Sequence, residues 1–326
     1  MLRRTVLTAA AIAAGASLFA QAANAQAWNM PMGYAPTNFH TINNTAFAEA
    51  VGKATGGKLA IKVHANGSLY KMLEIKRAVQ QGQVPIGELL MVTLSNENSA
   101  WGVDGLPFLA TNYDAAAKLW KVQRPVVEKL LEDQGLMLLY AVPWPPQGLF
   151  VPKPINRVAD MAGLSWRAYD KGTARMGELF KARSVTIQAP EVAQALSSGR
   201  INSLVSSAQS GIDYKVWESV KYFYDVQAWL PKNMVIANRK AFSALAPDVQ
   251  KAILAEAAKA EKAGWAASVK LAETTKETLR KNGVTVSAPS AELASDLSKV
   301  GQQIVSEWSA SASAQGKTIL DAFRKP

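Results

Sequence analysis

The chain contains no cysteine in 326 residues. That excludes thiol nucleophiles, disulfide redox work and thiolate metal sites. It also leaves an exported form to be held by its core alone, which suits a bacterial periplasmic protein better than a disulfide-stapled secreted scaffold. Histidine is nearly as scarce, with His40 and His64 only. Neither belongs to an H-x-x-x-H pair, so no zinc site, and no other cofactor, is expected. There is no G-x-S-x-G elbow, no G-x-x-x-x-G-K-[ST] loop and no G-x-G-x-x-G turn after a strand. Without these signatures, enzymatic turnover is not expected. Carboxylate pairs such as Glu88 and Asp104 can be drawn in any chain of this size. Outside the N-terminus no apolar run approaches the ~20 residues that would span a bilayer.

The N-terminus is a separate object. "MLRRTVLTAAAIAAGASLFAQAANAQA" carries two arginines, a run of small apolar residues and then Ala23-Asn24-Ala25. This order is that of a cleaved export signal, residues 1–25, and points to the periplasm. The Arg3-Arg4 pair fits both a twin-arginine and an ordinary signal. The formal charge is +11, or +9 without Arg3 and Arg4. Lys and Arg are spread thinly among Glu and Asp with no concentrated patch, so nucleic acid is not an expected partner. A solvated surface that helps to attract anionic ligands accounts for the excess.

From residue 26 the pattern alternates. "KLAIKVHA" and "VPIGELLMV" read as strands, with helices ending at Gly56-Gly57 and Gly82 between and before them. "PWPPQG" reads as a crossover, because three prolines suit neither a helix nor a central strand. A second strand–helix series follows, from "GLFVPKP" to "INSLVSS", and "WLPKNMVIANRKAF" returns to the first unit. A helical pattern from Pro247 to about Asn282 would be ~50 Å long at 1.5 Å per residue. These elements predict an α/β protein of two lobes, each with a largely parallel sheet. The ligand cleft lies between the lobes, and the long helix spans both. Residues 26–147 plus about 237–270 form the first lobe, and 148–236 plus about 271–326 the second.

"VADMAGLSWRAYD" holds the most pointed feature. Ser165, Arg167 and Tyr169 share one face of a half-buried strand whose other face carries Leu164, Trp166 and Ala168. Arginine keeps its charge and is rarely buried without an anion. The partner is either a ligand carboxylate or Asp170, three residues on.

Five stretches in this order carry a resemblance over nearly the whole chain after the signal. They are "FAEAVGKATGGKLAIKVHANGSLYKMLEIKRAVQQGQVPIG", "LPFLATNYDAAAKLW", "PINRVADMAGLSWRAYD", "VTIQAPEVAQALSSGRIN" and "VIANRKAFSALAPDVQKAI". The chain resembles the DctP-like substrate-binding proteins of TRAP (tripartite ATP-independent periplasmic) transporters. The resemblance implies capture of a small organic acid by lobe closure and delivery to TRAP membrane subunits. It also implies that Arg167 pairs with the ligand carboxylate. Gln147 follows the crossover, where the family often has a polar or basic contact. Ser206 stands where an amide often helps, and Asp170 where sugar-acid binders often have asparagine. Tyr169, Asn233, His40 and the first-lobe apolar pair Leu89 and Met91 are further candidates. Trp144 and Trp229 are the aromatic candidates at the crossovers. One strong cation among neutral groups predicts a monocarboxylate, either a 2-oxo or 2-hydroxy acid or an aromatic acid, rather than a dicarboxylate. A two-lobed enzyme or a sensor with the same cleft is the alternative.

Overall fold

The computed structural model describes residues 26–325; the expected export signal, residues 1–25, lies outside them. The first series is β1 (Gln26–Pro31), α1 (Phe39–Ala54), β2 (Leu59–His64), α2 (Ile75–Gln80), β3 (Ile86–Leu90), α3 (Tyr113–Glu132) and β4 (Leu136–Pro143). The second is β5 (Gln147–Val151), β6 (Ser165–Ala168), α4 (Lys171–Leu179), β7 (Arg183–Thr186), α5 (Val192–Ser197), β8 (Ser203–Ser207), α6 (Ala208–Asp213) and β9 (Tyr222–Tyr224). The chain then runs through β10 (Lys232–Asn238), α7 (Arg239–Ser243), α8 (Pro247–Lys281), β11 (Thr285–Ser287), α9 (Ala291–Ser311) and α10 (Ala314–Arg324).

Two sheets form the hearts of two lobes, ordered β3-β10-β4 and β11-β9-β5-β8-β6-β7, with β1 and β2 as a separate parallel pair. They are less parallel than the strand–helix rhythm suggested. β10 runs antiparallel to both its neighbours, and β5 runs antiparallel to β8 and β9. These are the two strands next to the points where the chain changes lobe. Such a strand reaches its sheet from the opposite side, so it inserts with reversed polarity. The crossing segments also bond to each other. Trp144 N–H donates to the Pro231 carbonyl (2.8 Å), Gln147 N–H to Trp229 (3.0 Å) and Ala228 N–H to Gln147 (2.9 Å). The hinge is therefore a two-stranded strap rather than two independent linkers.

Helix α8 begins on Pro247, whose missing N–H would have had no helical partner. It ends before Gly283, which takes φ +83°. It packs on α1 and β4 at one end and on α6 and β11 at the other, so it bridges both lobes. Its approach to β4 needs Gly264, where a Cβ would sit 2.4 Å from Val142. At the end of the chain, α10 packs on α3 and on the turn at residues 99–105. Helix α1 starts at Phe39. Asn38 accepts the His40 N–H at 2.9 Å and caps it, which places Phe39 and His40 inside the first turn.

Candidate functional site

Arg167 is aimed by what holds the other face of β6. Trp166 is fully buried, its Nε1 donates to the Thr173 carbonyl at 2.8 Å, and it meets Phe180 edge-on at 5.2 Å. Helix α4 can lie this close only because residue 177 is glycine; a Cβ there would be 2.5 Å from the indole. With Trp166 fixed on the helix side, Arg167 must project from the opposite face. There its Nε donates to the Ile187 carbonyl (2.9 Å), and its guanidinium lies 4.7 Å from the Tyr169 ring centroid. Arg167 is only 4% exposed. Among the described residues no carboxylate pairs with it: Asp104 faces Lys232 at 3.6 Å, and Glu88 lies 3.8 Å from His40.

Asp170 is not that partner. Its Oδ1 accepts Thr173 N–H at 2.9 Å and Thr173 Oγ1, and so caps α4. The capping bonds use the carboxylate where the sequence left it available for Arg167.

The guanidinium lines a narrow cavity of about 30 Å³. That is far below the ~300–1,000 Å³ of small-molecule pockets, so an organic acid enters only if the wall opens. Of the sequence candidates, Trp144, Gln147, Arg167, Tyr169 and Ser206 line this cavity. Gln147 Nε2 donates to the Pro145 carbonyl (2.9 Å), while its Oε1 has no partner among the described residues. Tyr169 OH accepts from Trp229 Nε1 at 3.3 Å. Trp229 is thus a buried support for Tyr169 and does not reach the cavity wall.

Three further candidates also lie off the wall. Asn233 and His40 are buried behind Trp144. Its Nε1 donates to Asn233 Oδ1 at 2.8 Å, and its ring sits 4.5 Å from the imidazole. Met91 is fully buried in a core cluster with Leu89, and Leu90 faces the cavity instead. The cause is the two-residue period of β3, in which adjacent side chains face opposite sides. The sequence missed Tyr34, Met72, Gln188, Ser210 and Tyr214, which complete much of the wall. Tyr34, Gln188 and the Ser210–Tyr214 pair follow the carboxyl ends of β1, β7 and β8. That is where open α/β sheets bind ligands, and it was the available signal.

Electrostatically the wall is one cation among neutral groups. Burial raises the phenol pKa values of Tyr34, Tyr169 and Tyr214 and holds His40 well below its usual value. Behind Asn233, burial pushes Glu88 up to about 8, so it is neutral near pH 7. A larger cavity of about 550 Å³ lies beside α4 and α9. Apart from the exposed Lys171, its charged side chains already have partners. Arg175 pairs with Glu178 and, through two nitrogens at 2.8 Å, with Glu307, and Asp170 caps α4. Volume favours that cavity, but only the smaller one has a buried charge without a partner.

The model of DctP, bacterial extracellular solute-binding protein family 7, matches residues 33–311. DctP6, a Bordetella pertussis extracytoplasmic solute receptor binding pyroglutamic acid, is 48% identical, with a TM-score of 0.90 over 92% of this chain and 100% of that one. A marine metagenome TRAP solute-binding protein, solved with co-purified pyroglutamate, is 40% identical with a TM-score of 0.90, over 93% of this chain and 99% of that one. The C4-dicarboxylate-binding protein DctB of Bacillus subtilis is 39% identical over 72 residues. That match spans 22% of this chain and only about a fifth (21%) of the curated relative's length. Among the described residues, no helix is long and apolar enough to cross a membrane.

Proposed function

The chain belongs to family 7 of the bacterial extracellular solute-binding proteins, DctP, and from that premise we propose that it is a periplasmic TRAP receptor for a small cyclic monocarboxylate of the pyroglutamate kind. One observation carries this reading: the buried Arg167 guanidinium faces a compact cavity, and no carboxylate among the described residues pairs with it. A carboxylate docked on that fork would make two parallel, charge-assisted hydrogen bonds in a site poor in water. A second carboxylate would be buried without a countercharge, which is costly. A lactam instead offers one N–H and one C=O. Gln147, Gln188, Ser206 and the tyrosine hydroxyls supply neutral partners of both kinds. Pyroglutamate is bound by relatives at 48% and 40% identity, whereas the dicarboxylate binder shares only 72 aligned residues.

The lobes would close around the paired crossovers at 144–147 and 228–231, excluding water and presenting a surface to the TRAP membrane subunits. We take the lobe boundary at the start of β10 and assign α10 to the first lobe, following its packing. Binding without turnover is the role that the family carries. His40, its nearest imidazole, is sealed behind Trp144 and bonds to no serine among the described residues. The test is native mass spectrometry of protein exported from cells, followed by denaturation and identification of the released molecule. Recovery of intact pyroglutamate or a close cyclic monocarboxylate supports the reading. Recovery of a dicarboxylate or a uronate overturns it.

A further inference from the structure

The register of the first sheet builds a buried polar relay behind the cavity wall. Asn233 on β10 stands opposite Leu90 and Val142, and Val235 opposite Glu88 and Tyr140. Residues two apart on a strand share a face, so Asn233 and Glu88 are diagonal neighbours on the side where Leu90 meets the cavity. Asn233 is 2% and Glu88 1% exposed, so both amide and acid must find partners inside the protein.

The partners fix one arrangement. An indole N–H can only donate, so the atom facing Trp144 Nε1 at 2.8 Å must be Asn233 Oδ1. Tyr34 OH donates to the same oxygen at 3.4 Å. Asn233 Nδ2 is thereby turned to Glu88 Oε1, its acceptor. The relay runs from two cavity-wall rings, through one amide, to one acid. His40 backs it, with Nδ1 3.8 Å from Glu88 Oε1 and its ring between Phe39 (4.0 Å) and Trp144 (4.5 Å). An amide held at both ends cannot flip without facing donor to donor. Neither Asn233 nor Glu88 reaches the cavity.

We propose that Asn233, oriented by Glu88, is a positioning residue that locks Trp144 and Tyr34 in the cavity wall. The proposal rests on the ligand site described above. On binding, the two rings would be preorganised, so the ligand need not fix them. Glu88 would act as a hydrogen-bond acceptor rather than as a charge, so its neutral isostere should replace it.

The ligand-free protein provides the first readout. With ¹⁵N-labelled tryptophan, the Trp144 indole resonance is assigned by its loss in Trp144→Phe, and its hydrogen exchange is followed. Asn233→Ala should speed that exchange at least about 100-fold while β10 backbone amides keep their protection. Glu88→Gln should leave it slow and Glu88→Leu should speed it, which decides the point if Asn233→Ala fails to fold. The second readout is calorimetry with L-pyroglutamate. Asn233→Ala should weaken binding about tenfold or more, and clearly less than that in the Trp144→Phe background, as coupled residues do. Unchanged indole exchange in Asn233→Ala, or a Glu88→Gln variant as damaged as Glu88→Leu, overturns the positioning role. So does full additivity with Trp144→Phe. Failure of the wild type to bind pyroglutamate would instead sink the ligand assignment, and the exchange result would still decide the positioning role.

Discussion

Replacing Arg167 should have opposite effects on the free and the liganded protein. The guanidinium is 4% exposed, bonded through Nε to Ile187 and stacked on Tyr169, with no carboxylate partner among the described residues. Arg167→Met removes one hydrogen bond, worth ~1 kcal/mol, and one cation–π contact of ~1–2 kcal/mol. It also removes the cost of holding an unpaired charge away from water, which is several kcal/mol for a buried ion. The free variant should therefore melt no lower than wild type. Binding should behave the other way, since truncating one partner of a buried charge pair costs ~2–5 kcal/mol, or roughly 30- to 5,000-fold in Kd. Ligand at 100 times Kd stabilises the wild type by about 2.7 kcal/mol, and this increment should vanish in the variant. Arg167→Lys should fail as well, because a point ammonium cannot present the planar fork. Thermal melts with and without pyroglutamate, paired with calorimetry, give both quantities. A variant that loses more than ~3 kcal/mol of free-state stability yet binds within about threefold of wild type would make Arg167 a structural residue.

Asp170→Ala should lower stability by ~1 kcal/mol, the usual cost of a lost N-cap, and leave affinity within about twofold. A large affinity loss in urea-stable protein would return Asp170 to the site. Glu88→Gln should change the pH dependence of stability. Burial raises Glu88 from 4.5 to about 8 in the folded chain, so its contribution is whole below pH 4.5 and is lost as pH rises towards 8. Each unit of that interval is worth ~1.4 kcal/mol at most. His40, Tyr34 and Tyr140 face Glu88, and burial disfavours the charged form of each; all three are common to both proteins, so the comparison isolates Glu88. Urea unfolding should therefore show Glu88→Gln close to wild type at pH 4.5 and progressively more stable by pH 8. Parallel profiles would mean that Glu88 is ionised in the fold.

Arg167 was legible because alternation alone separates it from Trp166, and a buried arginine demands an anion. Trp144, Gln147 and Ser206 were legible from their place beside a crossover or at a strand end. The long helix was legible from Pro247 and Gly283. The remainder depends on relations that one segment does not contain. Whether Leu90 or Met91 faces the ligand turns on a single residue of register. Asn233 and His40 look like ligand contacts in a linear reading, since nothing local says that Trp144 stands in front of them. Asp170 reads as a charge beside Arg167 until Thr173 is seen to engage it as a cap. The reversed polarity of β5 and β10 follows from how the crossing chain re-enters each sheet, and α10 turns back to α3 through contacts about 200 residues apart.

Matched calorimetric titrations of the wild-type protein with L-pyroglutamate, pyruvate, benzoate, succinate and glucuronate test the one-cation, one-carboxylate site most directly. Pyroglutamate should bind tightest, with succinate and glucuronate each weaker by at least about tenfold, the penalty of one buried polar group or charge left without a partner. Tightest binding by succinate or glucuronate would mean that the cavity holds a second cation or more polar partners than Arg167, Gln147, Gln188 and Ser206 provide, and that the ligand assignment is wrong.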